Sequence, residues 1–335
     1  MIKKSYEEII STLTKKFKEA GLDTEKAKSI AEILTEGELL GHTTHGLALV
    51  QAYLDELAGG TMEKTGSYEV LNKTIVAEAW DGRYLPGTWL TEKAIEKATE
   101  MAKEYGTGTI TIQKSHHIAC LAAFLEKTTR ENLTVIVACS DPKNKAVAPF
   151  GGTIPMYSPN PLAIGIPTES EPILIDVSMS TTANGVVNRA AKNNVKLGGP
   201  WLLDKTGNAT DDPQAIFDNP PATVLPLGGM DLGYKGFALG IMIEALTGAL
   251  GGHGRVSDPS RWGASVFVQV IDSSKFGGEH YFLSEMQHFV ENAKNNTPLN
   301  PQNPVRLPGE NGLKKKQLML KEGIIIPENL LVFFE

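Results

Sequence analysis

The side chains best suited to chemistry in this chain are two pairs of histidines and one aspartate. His42 and His45 lie in GHTTHG (41–46), His116 and His117 in KSHHIA (114–119), and Asp141 follows Ser140 in VACSDP (137–142). An imidazole changes charge near neutral pH, and a carboxylate orients it or tunes its pKa, so these are the parts of a proton-transfer site. The plainer use of the same residues is a cap or a packed ring for a histidine and a turn at Asp141–Pro142. Placement bears on the choice. His116–His117 and Ser140–Asp141 follow apolar, strand-like runs, Thr109–Ile112 and Leu133–Cys139. At strand ends a rigid sheet hands over to a reachable loop, where binding and catalytic groups concentrate.

Other chemistries fit less well. His42 and His45 lack the H-E-x-x-H spacing and no C-x-x-C adds ligands, so no metal site is expected. Ser140, His117 and Asp141 supply the residue types of a hydrolytic triad. However, no G-x-S-x-G elbow is present, and a serine beside the aspartate would struggle to reach the opposite side of the imidazole. No G-x-G-x-x-G joins a strand to a helix, which disfavours a Rossmann site. Gly228–Lys235 is glycine-rich before a lysine, but Tyr234 intervenes and no Ser or Thr follows, so it is not a P-loop.

The elements that must position these groups follow from apolar periodicity. With 335 residues the chain can form two or three packed units. Ile9, Leu13 and Phe17, then Ala27, Ile30, Ala31 and Leu34, then Leu47, Val50, Leu54 and Leu57 form three helical stripes, closed by Gly59–Gly60. GHTTHG is the loop between the second and third. From Val70 short strands are expected at Ile75–Ala79, Thr109–Ile112, Leu133–Cys139, Pro161–Ile166, Ile173–Val177 and Ser265–Ile271. They alternate with helices over Leu90–Tyr105, from Ile118, over Lys235–Leu250 and over Glu279–Asn292, which indicates an α/β layer around a mostly buried sheet. Asn184–Leu227 reads as loops. A proline-rich crossing after Asn295 leads to a helix at Leu313–Lys321 and a last run, Ile324–Ile326. The expected organisation is an α/β domain over 71–294 and a helical domain built from both ends, 1–70 with about 295–335.

Bulk properties narrow the setting. A net charge of −7 argues against nucleic-acid or anionic-membrane partners. Two cysteines, Cys120 and Cys139, exclude a disulfide framework and suit a reducing compartment. The longest apolar segment, Phe237–Leu250, contains Glu244 and is too short for a membrane span. The N-terminus, MIKKSYEEII, lacks the apolar stretch of a signal peptide, so a cytoplasmic protein is expected.

Taken in order, the motifs resemble a known family. GHTTHG with the helix running to Tyr53, KSHHIA, SDP with APFGG, SPNPLAIGIP, ILIDVSMST, PWLLD with ATDDP, LGYKGFAL and RLPGENG together are similar to the malate/L-lactate dehydrogenase family of the second type. Its relatives include sulfolactate, ureidoglycolate and diketogulonate oxidoreductases and cyclic imino-acid reductases. The resemblance spans nearly the whole chain. It implies a non-Rossmann NAD(P)-binding α/β domain with a central sheet flanked by helices, a helical domain from both chain ends, and a homodimer with its active site near the interface. It also implies NAD or NADP as cofactor and a small 2-oxo or 2-hydroxy acid, or a cyclic imino acid, as substrate.

Site roles come with the resemblance. His45 matches the S-H-G histidine, with Thr44 in place of serine, and His117 matches the second motif's histidine. Asp141 matches an acidic position of ureidoglycolate-type members. The cofactor-binding positions it implies are Ser140, Asp176, Ser178, Met179, Ser180, Thr181, Tyr234, Lys235, Gly309, Glu310 and Asn311. Glu310–Asn311 departs in part from the family's pattern. Leu49 stands where members often carry an arginine three residues after the S-H-G glycine, which disfavours a dicarboxylate. The expected acid–base residue is His117, with Asp141 orienting its ring or raising its pKa, and His45 is the alternative proton donor. Outside this class, a non-catalytic nucleotide sensor and a metal-dependent hydrolase are the competing readings.

Overall fold

The computed structural model describes residues 2–334. The first strand, β1 (Lys3–Lys4), leads into helices α1 (Tyr6–Glu19), α2 (Thr24–Leu39) and α3 (Val50–Gly59). Ser5 and Glu8 form a reciprocal capping box that starts α1, and the Asp23 side chain caps α2 by accepting from the Lys26 N–H. Ile9, Leu13 and Phe17 are the buried face of α1, as their spacing requires.

The sheet begins with β2 (Glu69–Lys73) and β3 (Ala77–Asp81), then passes through α4 (Gly87–Tyr105) to β4 (Thr107–Ser115). A short helix α5 (Leu125–Thr129) precedes β5 (Leu133–Ser140), β6 (Leu162–Ile166) and β7 (Ile173–Val177). Helix α6 (Asn184–Lys192) and the small strands β8 (Leu202–Leu203), β9 (Ala209–Thr210) and β10 (Thr223–Val224) follow. Helix α7 (Gly229–Glu244), β11 (Ala264–Asp272), α8 (Glu279–Lys294), α9 (Glu310–Glu322) and β12 (Ile324–Ile325) complete the chain. The result is a mixed α/β protein whose central seven-stranded sheet, in the order β2-β3-β4-β11-β5-β6-β7, is flanked by helices.

Only β3 and β4 run parallel within that sheet; every other neighbouring pair is antiparallel. A doubly wound dinucleotide fold would be mostly parallel. The decisive strand is β11, which arrives late in the chain and inserts between β4 and β5. Its interior side chains, Val266, Val268 and Val270, are wholly buried. One contiguous core runs from Ile9 through this sheet to Leu330, and β1 pairs with β12 through Lys3–Ile325 and Lys4–Ile324.

Several expectations need correction. The strand read at Ile75–Ala79 lies two residues later, at Ala77–Asp81, because Val76 sits in the turn that joins it to the unforeseen β2. The helix expected from Ile118 starts at Leu121 as a 3₁₀ turn and is short. Asn184–Leu227 is not all loop. Val187, Ala190, Leu197, Leu202 and Val224 close a second small core with Val147 and Tyr157, so α6 and a three-stranded sheet are held there by packing over long sequence distances. Among the described residues no helix is long and apolar enough to cross a membrane.

Candidate active site

A cleft of about 630 Å³ opens where GHTTHG, the ends of β4, β5 and β7, and the start of α6 converge. Its size is within the range of small-molecule sites. His45, His117, Asp141, Thr44, Leu49, Asp176 and Ser178 all line it.

GHTTHG is shaped by α2 beneath it. The helix ends as Gly41 takes a left-handed φ of 87°, and the His42 N–H returns to the Gly37 carbonyl at 2.9 Å. Glu38 then reaches up to accept the Leu47 N–H at 3.2 Å. A Cβ on Gly46 would lie 2.7 Å from both the Glu38 nitrogen and its Oε2, so only glycine fits between the loop and this carboxylate. With the loop fixed, the Thr44 hydroxyl meets His45 Nδ1 at 3.0 Å. Burial lowers the His45 pKa, and the Asp176 carboxylate works against that shift.

His117 is held by rings. The Tyr53 hydroxyl donates to the His117 carbonyl at 3.0 Å and lies 2.9 Å from its Nδ1. Trp262 packs 4.6 Å from the imidazole, and His45 stacks on it at 5.9 Å. Because a carbonyl only accepts, the Tyr53 proton points there, and the phenol oxygen accepts from Nδ1–H. The Ala119 N–H, 3.3 Å from the same nitrogen, supports the opposite tautomer. Nδ1 therefore has a partner with or without a proton, and Nε2 is the nitrogen free to exchange one. Burial, then the neighbouring His45 and His116, push the His117 pKa well below the usual value, so the ring is neutral at pH 7. His116 points the other way. It is fully buried, meets Glu56 at 3.4 Å, has no partner for Nδ1, and titrates at about 4 because of its burial.

Asp141 does not orient His117. The strands that carry them are separated by β11, with Ala264 paired to Ser115 and Ser265 to Ser140. Two strand spacings amount to about 10 Å, beyond hydrogen-bond reach. Asp141 Oδ1 instead accepts from the N–H groups of Lys143 and Asn144, at 3.0 and 3.3 Å. Burial raises its pKa, and those bonds and Arg255 oppose the rise. Arg255 ties the whole turn down, donating to the carbonyls of Asn144 (2.7 Å) and Asp141 (3.2 Å) and to Glu244 (2.7 Å). Ser158 accepts the Asp141 N–H and donates to Asn160, whose amide donates to Glu244 at 2.9 Å.

The remaining expected residues divide. Asp176 enters the cleft from β7, with Oδ2 fixed by the Ala122 N–H at 2.9 Å. Ser140 is buried and donates to Thr247 at 2.8 Å, since the Thr247 proton goes to the Ile243 carbonyl. Met179 packs in the core with Ile243 and Phe267, Ser180 and Thr181 bond to backbone carbonyls, and none of the three lines the cleft. Tyr234 and Lys235 are exposed on α7, away from the cleft lining, and Tyr234 packs edge-on to Phe150. Gly309 caps α9 with φ 84°, while Glu310 accepts from the Leu307 N–H and Lys314, and Asn311 is exposed. None of these last three lines the cleft.

Sequence reasoning missed Tyr53, Trp262, Ser158, Asn160 and the Arg255–Glu244 pair as parts of the site. One signal was available: Glu244 is the lone charge in an otherwise apolar helical run, and a carboxylate there needs a partner. His42, Cys120 and Asp176 form the one group of potential metal donors among the described residues, within 4.8 Å of one another. Burial holds the Cys120 thiol far above its usual pKa, so its metal-binding thiolate form is disfavoured.

A cleft that holds a neutral imidazole with one free nitrogen beside carboxylates and hydroxyls suits proton exchange beside hydride transfer, the chemistry of a dehydrogenase. The comparisons agree. The sequence matches the malate/L-lactate dehydrogenase family over residues 4–333, and the chain belongs to that family. It is 30% identical to the malate/(S)-sulfolactate dehydrogenase of Methanothermus fervidus, over 97% of this chain and 94% of the relative. The fold superposes on malate dehydrogenase from Entamoeba histolytica with a TM-score of 0.91, at 22% identity, covering 99% and 95% of the two chains. It superposes on the Δ1-piperideine-2-carboxylate reductase of Pseudomonas syringae pvar. tomato with a TM-score of 0.87, at 25% identity and 99% and 98% coverage. The protein is an oxidoreductase that transfers hydride between a nicotinamide cofactor and a small 2-hydroxy or 2-oxo acid.

Proposed function

We propose that His117 is the residue that exchanges the substrate proton, in the reduction of a small 2-oxo monocarboxylate or a cyclic imino acid and in the reverse oxidation. The observation that carries this is the His117 ring, clamped at Nδ1 by Tyr53 and flanked by Trp262 and His45, with Nε2 left for the cleft. The bound nicotinamide supplies or removes the hydride at the substrate carbon. Nε2 gives a proton to the carbonyl oxygen or imine nitrogen in one direction and takes it back in the other. Asp176 and Ser178, on the wall facing the histidines, fit the cofactor side, and the cleft volume suits a nicotinamide ring with a compact acid. Either NAD or NADP is compatible with this reading.

Two organisational readings accompany it. The pairing of β1 with β12 supports a helical unit made from residues 1–70 and about 295–335 against an α/β unit over 71–294. Helix α7 turns glycines inward, where a Cβ on Gly240 would press on Tyr157 at 2.7 Å, and exposes Met230, Leu232, Leu239, Ile241 and Met242. That apolar outer face supports a homodimer.

Absorbance of NADH and NADPH, followed with a panel of 2-oxo acids and cyclic imines, tests the reading. Oxidation of reduced cofactor by at least one 2-oxo monocarboxylate or cyclic imine is the expected result. Turnover confined to oxaloacetate would overturn the substrate assignment.

A further inference from the structure

An anionic substrate faces an unfavourable cleft. Asp141 and Asp176 both line it, His117 is neutral at pH 7, and burial lowers the His45 pKa as well. Position 49, where the family resemblance leads one to expect an arginine, is leucine. A single guanidinium lines the cleft among the described residues, and it comes from a different element: Arg189, on α6.

The local structure holds α6 against the histidine loop. A Cβ on Gly185 would stand 3.2 Å from Thr44 Cβ, so the helix packs directly on GHTTHG. From there Arg189 Nη1 donates to the Thr43 hydroxyl at 3.1 Å. That is its one hydrogen bond among the described residues, so the other guanidinium N–H groups have no protein acceptor. A guanidinium tethered at one nitrogen and free at the rest is prepared for a planar, two-oxygen ligand. Val187 and Ala190 bury the opposite side of α6 in the small second core, which fixes the helix that carries the arginine.

We propose that Arg189 is the substrate's carboxylate anchor and determines that this enzyme takes compounds with one carboxylate. The assignment rests on the proposed reading of the substrate as a 2-oxo or cyclic imino acid. One cation neutralises one carboxylate. A second carboxylate near Leu49 would lose its water without gaining a partner. The anchor is also a specificity device, because an uncharged substrate of the same shape gains nothing from it.

The test compares pyruvate with methyl pyruvate, which keeps the reacting carbonyl and lacks the charge. In Arg189→Leu, kcat/KM for pyruvate should fall by about 10- to 100-fold, the range for one charged hydrogen-bonded partner, while the ester is unaffected. Arg189→Lys should recover part of the loss, because it restores charge without the planar fork. Fluorescence titration with NADH and NADPH, without substrate, should give unchanged affinities in both variants. Acid and ester declining together would remove the anchor role. Weakened cofactor binding would assign Arg189 to the cofactor phosphates and overturn the proposal. A wild-type protein that turns over none of the 2-oxo acids or imines would bring down the functional reading, and this inference with it.

Discussion

His117 at the end of β4 and Asp141 at the end of β5 stand on the same side of the sheet, each one or two residues beyond its last paired position. Their surroundings have little in common. His117 is gripped by Tyr53, Trp262 and His45, which contribute shape, low polarity and one hydrogen-bonding oxygen. Asp141 is enclosed by N–H groups and by the Arg255 clamp, which contribute fixed polarity and a rigid turn. An aromatic cage leaves one ring nitrogen free and lowers the pKa; a polar cage satisfies the carboxylate locally and leaves it little to offer a distant partner. On the proposed reading, the β4 end serves proton exchange and the β5 end holds a wall in place.

The sharpest way to break this contrast is to remove each group in turn. His117→Ala should lower kcat by about two to four orders of magnitude, with cofactor affinity unchanged, as for a lost general acid–base group. Asp141→Asn keeps an oxygen to accept the Lys143 and Asn144 N–H groups, so its cost should stay within about tenfold, the equivalent of one ordinary hydrogen bond. Equal losses in the two variants would mean that the ends act as one catalytic pair. Undiminished turnover in His117→Ala would move the proton to His45.

That contrast also marks what the sequence could reveal. The strand ends were legible, because Thr109–Ile112 and Leu133–Cys139 are short apolar runs followed by polar residues. Their separation was not. Adjacent positions in a list of strands imply neighbours, but β11, more than 120 residues further along, lies between them. No local pattern in residues 107–141 encodes that insertion. The helix stripes of α1 and α2 were readable because they are set by local spacing. The small sheet around β8 was not, since Leu202 and Val224 find their partners only through the second core. The family motifs named the cleft's His45, His117 and Asp176, whereas Tyr53 and Trp262 are visible only once the chain has folded.

The polar wall should respond to the loss of its clamp. Arg255→Met leaves Glu244 facing only the Asn160 amide and releases the carbonyls of Asp141 and Asn144. A fully buried broken pair costs more, but these side chains are 19% and 26% exposed, so about 2 kcal/mol of stability is expected to go. Urea unfolding measures it. Adding Glu244→Leu to the same protein should return part of the loss, because the stranded carboxylate is then gone. A further loss in the double variant would mean that Glu244 stabilises the turn through Asn160 alone.

The aromatic wall should instead respond to pH. An unfolded histidine titrates near 6.5, while folded His116 titrates at about 4. Between those values the unfolded chain binds more protons, so stability declines as pH falls from 6.5 toward 4 and is unaffected by this group above 6.5. His116→Asn should flatten that part of the curve in thermal melts. Activity has its own signature. Since the His117 pKa lies well below 6.5, kcat/KM for hydroxy-acid oxidation should be level above pH 6.5 and fall only beneath it. A fall beginning at 7 would place the base elsewhere, with His45 the next to test.

The smallest expected effect concerns substrate choice, and it uses the cleft between the two walls. Leu49 lines that cleft as a partly exposed apolar side chain. If Arg189 takes one carboxylate, Leu49 faces the remainder of the substrate, and pyruvate should be preferred to oxaloacetate. Leu49→Arg would add a second cation and let the second carboxylate of oxaloacetate enter paired. The ratio of kcat/KM values for oxaloacetate over pyruvate should then rise by about tenfold, the lower end for one charged hydrogen-bonded pair. Turnover of pyruvate itself should change little, because its methyl group makes only apolar contact. An unchanged ratio would show that position 49 does not meet the substrate. Oxaloacetate preferred in the wild type would overturn the one-carboxylate assignment, and with it the role given to Arg189.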